Sequence, residues 1–196
     1  MKDPFHEIEE NWTEYHLNWV LRAFAAGNTY RFLPKTLTAK AVKSRIRSFV
    51  GTGKILGRIR SETAFISFHR QLTNRLMSRN DLGFGRAVKL ADLFLKEMIT
   101  RRAVMDDQTA ERISKWVNVP IDRVILKKLS TDYPLMLAAA EIKKNAALKN
   151  LKRVQYEALQ AKLKKEAEKR GLNAIHYDLY WSNRKEVRAR TKRQKK

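Results

Sequence analysis

Apolar residues recur along this chain at spacings of three and four, and strict alternation is rare, which is the pattern of helices that bury one face. Ile8, Trp12, Tyr15, Trp19 and Ala23 form one stripe, Ile66, Leu72 and Leu76 lie near a second, and Leu90, Leu93, Phe94 and Met98 form a third. A long helix is expected from about Leu135 to Arg170, with Leu148, Leu151, Ala158 and Leu159 on its inner side. Gly171, which tolerates left-handed backbone, is its natural stop. Breaks are expected at Gly27-Asn28, Pro34, Gly51 to Gly53, Gly83 to Gly85, Asn118 to Pro120 and Tyr133-Pro134. The expected fold class is all-α. Trp12, Trp19, Trp116, Phe65 and Phe94, at helical spacing, read as core.

Composition adds material and limits chemistry. With 196 residues, 43% of them apolar, and only seven Gly and four Pro, the chain can build a packed interior. Absence of cysteine removes disulfide frameworks, thiolate metal sites, iron-sulfur clusters and cysteine nucleophiles. His6, His16, His69 and His176 lack the i, i+4 spacing that aims two imidazoles at one metal, so no metal site is expected.

Charge changes the picture most. Lys and Arg number 42 against 20 Asp and Glu, a net +22. Such an excess repels itself unless a polyanion is near, so nucleic acid, DNA first, is the expected partner. Nine basic residues and no acid lie between Arg31 and Arg60, and from Ala139 onward 18 basic residues face six acidic ones. Apolar runs such as Leu135 to Ala140 fall short of the roughly 20 residues a membrane span needs. Acidic residues Asp3, Glu7, Glu9, Glu10 and Glu14 stand where a targeting signal would be basic. The expectation is a monomer in the cytoplasm or on the nucleoid, with no membrane contact. Three parts are expected: 1–60, helical with an acidic start and a basic stretch; 61–183, the main helical domain; and 184–196, a basic, disordered tail.

Gly51-Thr-Gly-Lys54 invites a phosphate-loop reading, but Ser48 and Ile55 stand where that motif needs Gly and Ser or Thr. A basic turn against DNA backbone, with Arg45, Arg47 and Lys54, fits better. Gly83 and Gly85 precede a helix, where a tight turn can offer amides to a phosphate beside Arg86; the alternative is an ordinary interhelical turn. Pro120 breaks the chain before Asp122, which is placed to cap a new helix. Capping alone explains Asp122, and Lys89 on an amphipathic helix is equally a solvent-facing residue.

Three stretches resemble the helix-hairpin-helix DNA glycosylase superfamily, in particular its archaeal 8-oxoguanine DNA glycosylase branch. The run from Gly85 through Lys89 to Phe94 is similar to the helix bearing that family's catalytic lysine, and Val119-Pro-Ile-Asp122 to its proline-hydrophobic-aspartate motif. Arg153 to Gln160, followed by Gly171 to Trp181, resembles the C-terminal helix and the segment that closes on the base pocket. The likeness spans roughly Ser61 to Arg184. Lys89 follows Gly85 by four positions where the commoner pattern has two, roughly 200° around a helix.

The resemblance implies two helical lobes around a cleft and excision of a damaged or modified base from DNA, with or without AP lyase activity and without a cofactor. Lys89 would attack C1′ as a free amine, and Asp122 would stabilise positive charge growing on the sugar. Asp178 would read a donor edge of the extruded base, while Tyr177, Trp181 and Tyr180 would stack on it. Two alternatives stay open: a non-catalytic DNA or RNA binder on the same scaffold, and a base-modifying enzyme of a viral DNA hypermodification system.

Overall fold

The computed structural model describes residues 17–22, 33–34, 37–51, 54–77, 82–100, 105–143 and 146–182, without the side chains of 54, 55 and 179–182. Every regular element among them is helical, as the spacing of apolar residues requires. Residues 17–22 form α1, followed by α2 (Ala39–Val50), α3 (Glu62–Leu76), α4 (Phe84–Thr100), α5 (Asp107–Ser114), α6 (Arg123–Asp132), α7 (Pro134–Ala138), α8 (Arg153–Glu168) and α9 (Ile175–Ser182). Short 3-10 turns occupy Lys54–Arg58 and Leu148–Asn150. No described helix is long and apolar enough to cross a membrane.

The helices start where side chains can take up free amides. Thr38, Ser61 and Asp106 accept from Ala41 N, Ala64 N and Thr109 N at 3.2, 3.2 and 2.7 Å. Gly171 ends the turn after α8 at φ +65°, with Leu172 N donating to Ala167 O at 3.0 Å. That is the left-handed stop expected of it.

Buried apolar side chains gather in two clusters. One joins α1, α2, the Leu56 turn, α3, α5 and most of α4, around Phe65, Leu72, Leu90, Phe94 and Met98. The other joins α6, α7, α8 and α9, around Ile121, Leu129, Leu159 and Leu163. Helix α4 belongs to both, since Val88 enters the second cluster while Leu90 and Phe94 enter the first.

Three expectations change. Trp19 and Ile66 are not core: they are 42% and 40% exposed, and the buried faces of their helices carry Leu17, Val20, Phe65 and Phe68 instead. The single helix from Leu135 to Arg170 is interrupted. Glu141 takes φ +55°, Ile142 N closes the turn on Leu137 O, and α8 begins only at Arg153. Burial of Ile142 and Leu151 in the second cluster, and Gln155 Nε2 donating to Glu141 O at 2.6 Å, outweigh the helix propensity of this Ala- and Lys-rich stretch. Ile8, Trp12, Tyr15, Ala23, Gly27, Gly53 and the tail beyond 183 lie outside the described residues.

Gly85 is not an exposed hairpin residue either; it is buried in the first turn of α4 beneath the Leu148–Asn150 turn. A Cβ there would lie 1.9 Å from Leu148 O, whereas at Gly83 the nearest atom would be 3.7 Å away. Gly85→Ala is therefore expected to cost about 1–3 kcal/mol by overpacking, and Gly83→Ala much less. Urea denaturation of the two variants against wild type checks the difference.

Candidate functional site

Lys89 and Asp122, 33 residues apart in sequence, meet: Lys89 Nζ lies 3.7 Å from Asp122 Oδ2, with the two side chains 15% and 17% exposed. The other carboxylate oxygen, Oδ1, accepts from Val124 N at 2.8 Å and Ile125 N at 2.9 Å. Asp122 is thus both helix cap and lysine partner, with one oxygen for each role.

Delivery of Asp122 depends on α8. The extended segment before α6 is held by Gln160, whose Oε1 accepts from Val119 N at 3.0 Å and whose Nε2 donates to Val119 O at 2.8 Å. Gln160 is 3% exposed, so this two-way clamp satisfies both backbone groups where water cannot. Val119, Pro120 and Ile121 are buried beside it, leaving Asp122 at the mouth of α6.

Lys89 stands on the wall of a groove of about 820 Å³ between α4, α6 and the turn at Leu148. Arg86, Lys89, Arg123, Lys127 and Lys149 line it, and among the described residues no acidic side chain does. Arg86 therefore shares the groove with Lys89. Gly83 is exposed beside this turn and Gly85 is buried under it. Arg45 and Arg47 lie elsewhere, on α2. Arg45 Nη1 donates to Leu76 O at 2.8 Å, while Arg47 donates to the Asn18 side chain and lines a second basic groove with Arg22, Lys40 and Lys43. The side chains of Lys54, Tyr180 and Trp181 lie outside the described residues.

Asp178 is buried at 6% exposure and ion-paired with Lys96. Lys96 went unnoticed in the sequence, although it follows Lys89 by seven positions and so returns to nearly the same face of α4. Two Lys-Asp pairs thus lie along one line of that helix. Tyr177 is buried, and its ring meets that of Tyr133 edge-on, with centroids 6.4 Å apart. Burial first, and the neighbouring Tyr133 hydroxyl second, push its phenol up to about 12 from the ordinary 10.

A third cluster also escaped the sequence reading. Asp92, with no solvent exposure, sits 2.8 Å from His69 Nε2, and the Tyr156 hydroxyl donates to it, 2.8 Å from each oxygen. Burial pushes Asp92 above the usual carboxylate range against the pull of His69 and Tyr156, and pushes Tyr156 well above the usual phenol range. A signal was present: Asp92 interrupts the apolar run from Leu90 to Leu95. Among the described residues no three His, Asp or Glu side chains gather as a metal site.

The chain matches no protein-family model, no curated protein and no solved structure.

Replacement of Asp122 by Ala should cost about 1 kcal/mol through the lost cap, while Asn, which can still accept from Val124 N, should cost only a few tenths. Urea unfolding separates the two. For Tyr177, the folded chain keeps its phenolic proton between pH 10 and about 12, where an unfolded chain has lost it. Stability from this residue is complete below pH 10 and falls as pH rises through that window. Tyr177→Phe should flatten the alkaline limb of a Tm-against-pH profile.

Proposed function

We propose that this chain excises a damaged or modified base from DNA, as a glycosylase with a lysine-dependent AP lyase step, on a two-lobed scaffold of the helix-hairpin-helix glycosylase kind. The observation that carries this reading is the Lys89-Asp122 contact at 3.7 Å on the wall of a groove lined by Arg86, Lys89, Arg123, Lys127 and Lys149. An amine and a carboxylate that close can act on the same sugar carbon. The cations supply the phosphate contacts that would hold the strand. The two apolar clusters flanking α4 support the two-lobed architecture.

In this mechanism the strand lies in the groove and the target nucleotide is extruded toward α4. Lys89 enters as the free amine and forms the bond to C1′, and the proton its nitrogen sheds passes to the departing base, so Asp122 stays ionised. The glycosidic bond breaks as the new bond forms, and the base leaves with the bonding electron pair. Positive charge on the sugar is greatest midway, where the Asp122 carboxylate faces it. Opening of the sugar ring then gives a Schiff base on Lys89, from which strand cleavage proceeds. The Lys96-Asp178 pair, its lysine on the same line of α4 as Lys89 and its aspartate on α9, would offer one donor and one acceptor to the edge of the extruded base.

A second reading, a nucleic-acid binder without chemistry, is favoured by the second basic groove on α2, where Arg22, Lys40, Lys43 and Arg47 line a volume of about 480 Å³ that shares no described lining residue with the groove beside Lys89. Borohydride trapping separates the two. Labelled duplexes carrying 8-oxoguanine, uracil, hydroxymethyluracil or an abasic site are incubated with wild type and Lys89→Ala. A covalent adduct formed by wild type and lost in the variant is the expected result. No adduct and no base loss, with binding that weakens as salt rises, would establish the binder instead.

A further inference from the structure

A second cavity opens on the other side of α4. It lies between α3 and α8, has a volume of about 210 Å³, and is floored by Phe84 and Val88, whereas Arg86 and Lys89 of the same helix turn toward the basic groove. Its walls are aromatic. His69 and Tyr156 are parallel within 3° at 6.1 Å, Phe65 lies 26° from His69 at 6.3 Å, and Phe84 meets Tyr156 edge-on at 5.8 Å. Parallel ring faces with one perpendicular edge suit a flat π-system.

The polar groups restrict the ligand further. In the tautomer whose Nε2–H donates to Asp92, His69 keeps Nδ1 as an acceptor, and the residue lines the cavity at 6% exposure. Asn118 also lines the cavity and adds an amide. The cations of the rim are already engaged. Arg70 pairs with Glu157 at 3.1 Å and Lys164 with Glu62 at 3.2 Å. Arg153 lies 4.9 Å over the Phe84 ring and donates to Asn74 Oδ1 at 2.8 Å. Those contacts leave little to attract a phosphate, unlike the groove beside Lys89. The volume is below the roughly 300–1,000 Å³ of sites for drug-sized molecules, which excludes a whole nucleotide and admits one or two fused rings.

We propose that the cleft between α3 and α8 is a binding site for a small, neutral, planar heteroaromatic molecule of nucleobase size. The ring lies against Phe65, Tyr156 and Phe84, and a ring N–H is donated to His69. Asp92 and Tyr156 hold the His69 ring in place from behind, so the acceptor is oriented before the ligand arrives. Its concavity, aromatic lining and pair of perturbed titrating groups are what a small-molecule site requires. The site does not depend on the chemistry assigned to Lys89.

Ligand-observed NMR and calorimetry on the full chain, with adenine, hypoxanthine, uracil and thymine as free bases and no DNA present, test it. At least one base is expected to bind saturably below about 1 mM. Ala161→Trp, at an exposed position lining the cleft, should weaken that binding by at least about tenfold. Lys89→Ala should leave it unchanged, even if trapping assays show that Lys89 forms no adduct. Absence of saturable binding by all four bases overturns the proposal. So does binding that survives Ala161→Trp, or binding lost in Lys89→Ala, which would place the base in the groove instead.

Discussion

Asp92 is a carboxylate with no access to water in the middle of α4, and the packing of three helices follows from providing for it. An ionised carboxylate without partners in an apolar interior is so unfavourable that it must be protonated or hydrogen-bonded. His69 from α3 and Tyr156 from α8 supply those bonds, so the polar pin joins three elements that are distant in sequence. Removing one member of such a set leaves an uncompensated buried group, a loss on the order of 3–5 kcal/mol. The orientation of α4 about its own axis is set by this pin, and with it the directions of Lys89 and Lys96.

From that fixed helix the rest of the candidate site is built by α8. Tyr156 reaches α4, and Gln160, one turn further along, grips both backbone groups of Val119. Helix α8 therefore positions α4 and the segment leading to Asp122 together. A carboxylate delivered by extended chain and a lysine on a rigid helix arrive 3.7 Å apart because both refer to one support. The cap bonds to Val124 and Ile125 then orient the Asp122 carboxylate, leaving its second oxygen toward the amine.

The two concavities beside α4 differ in charge, and that difference separates their ligands. Among the described residues, one is lined by five cations and no acid; the other has cations that are matched by Glu62 and Glu157 or laid on an aromatic ring. A polyanion is attracted to the first and gains little at the second. Val88 and Lys89 are adjacent in sequence yet serve opposite sides, since successive residues on a helix are turned by about 100°.

Helical class, the basic surplus, the breaks at Tyr133-Pro134 and Gly171, and the cap at Asp122 were all legible in the sequence, because each rests on local chemistry: periodicity, fixed backbone angles, or a side chain bonding amides two or three positions away. The pairing of Lys89 with Asp122 was legible only through a resemblance. Burial of Asp178 against Lys96, the His69-Asp92-Tyr156 pin, the Gln160 clamp and the interruption of the Leu135 to Arg170 stretch were decided by tertiary structure. Each depends on groups 14 to 82 residues apart finding one another, as Gln155 finds Glu141 O and Lys96 finds Asp178. Helix propensity carries no information about that. It requires the burial that only packed helices provide, where an unmet polar group costs more than a broken helix.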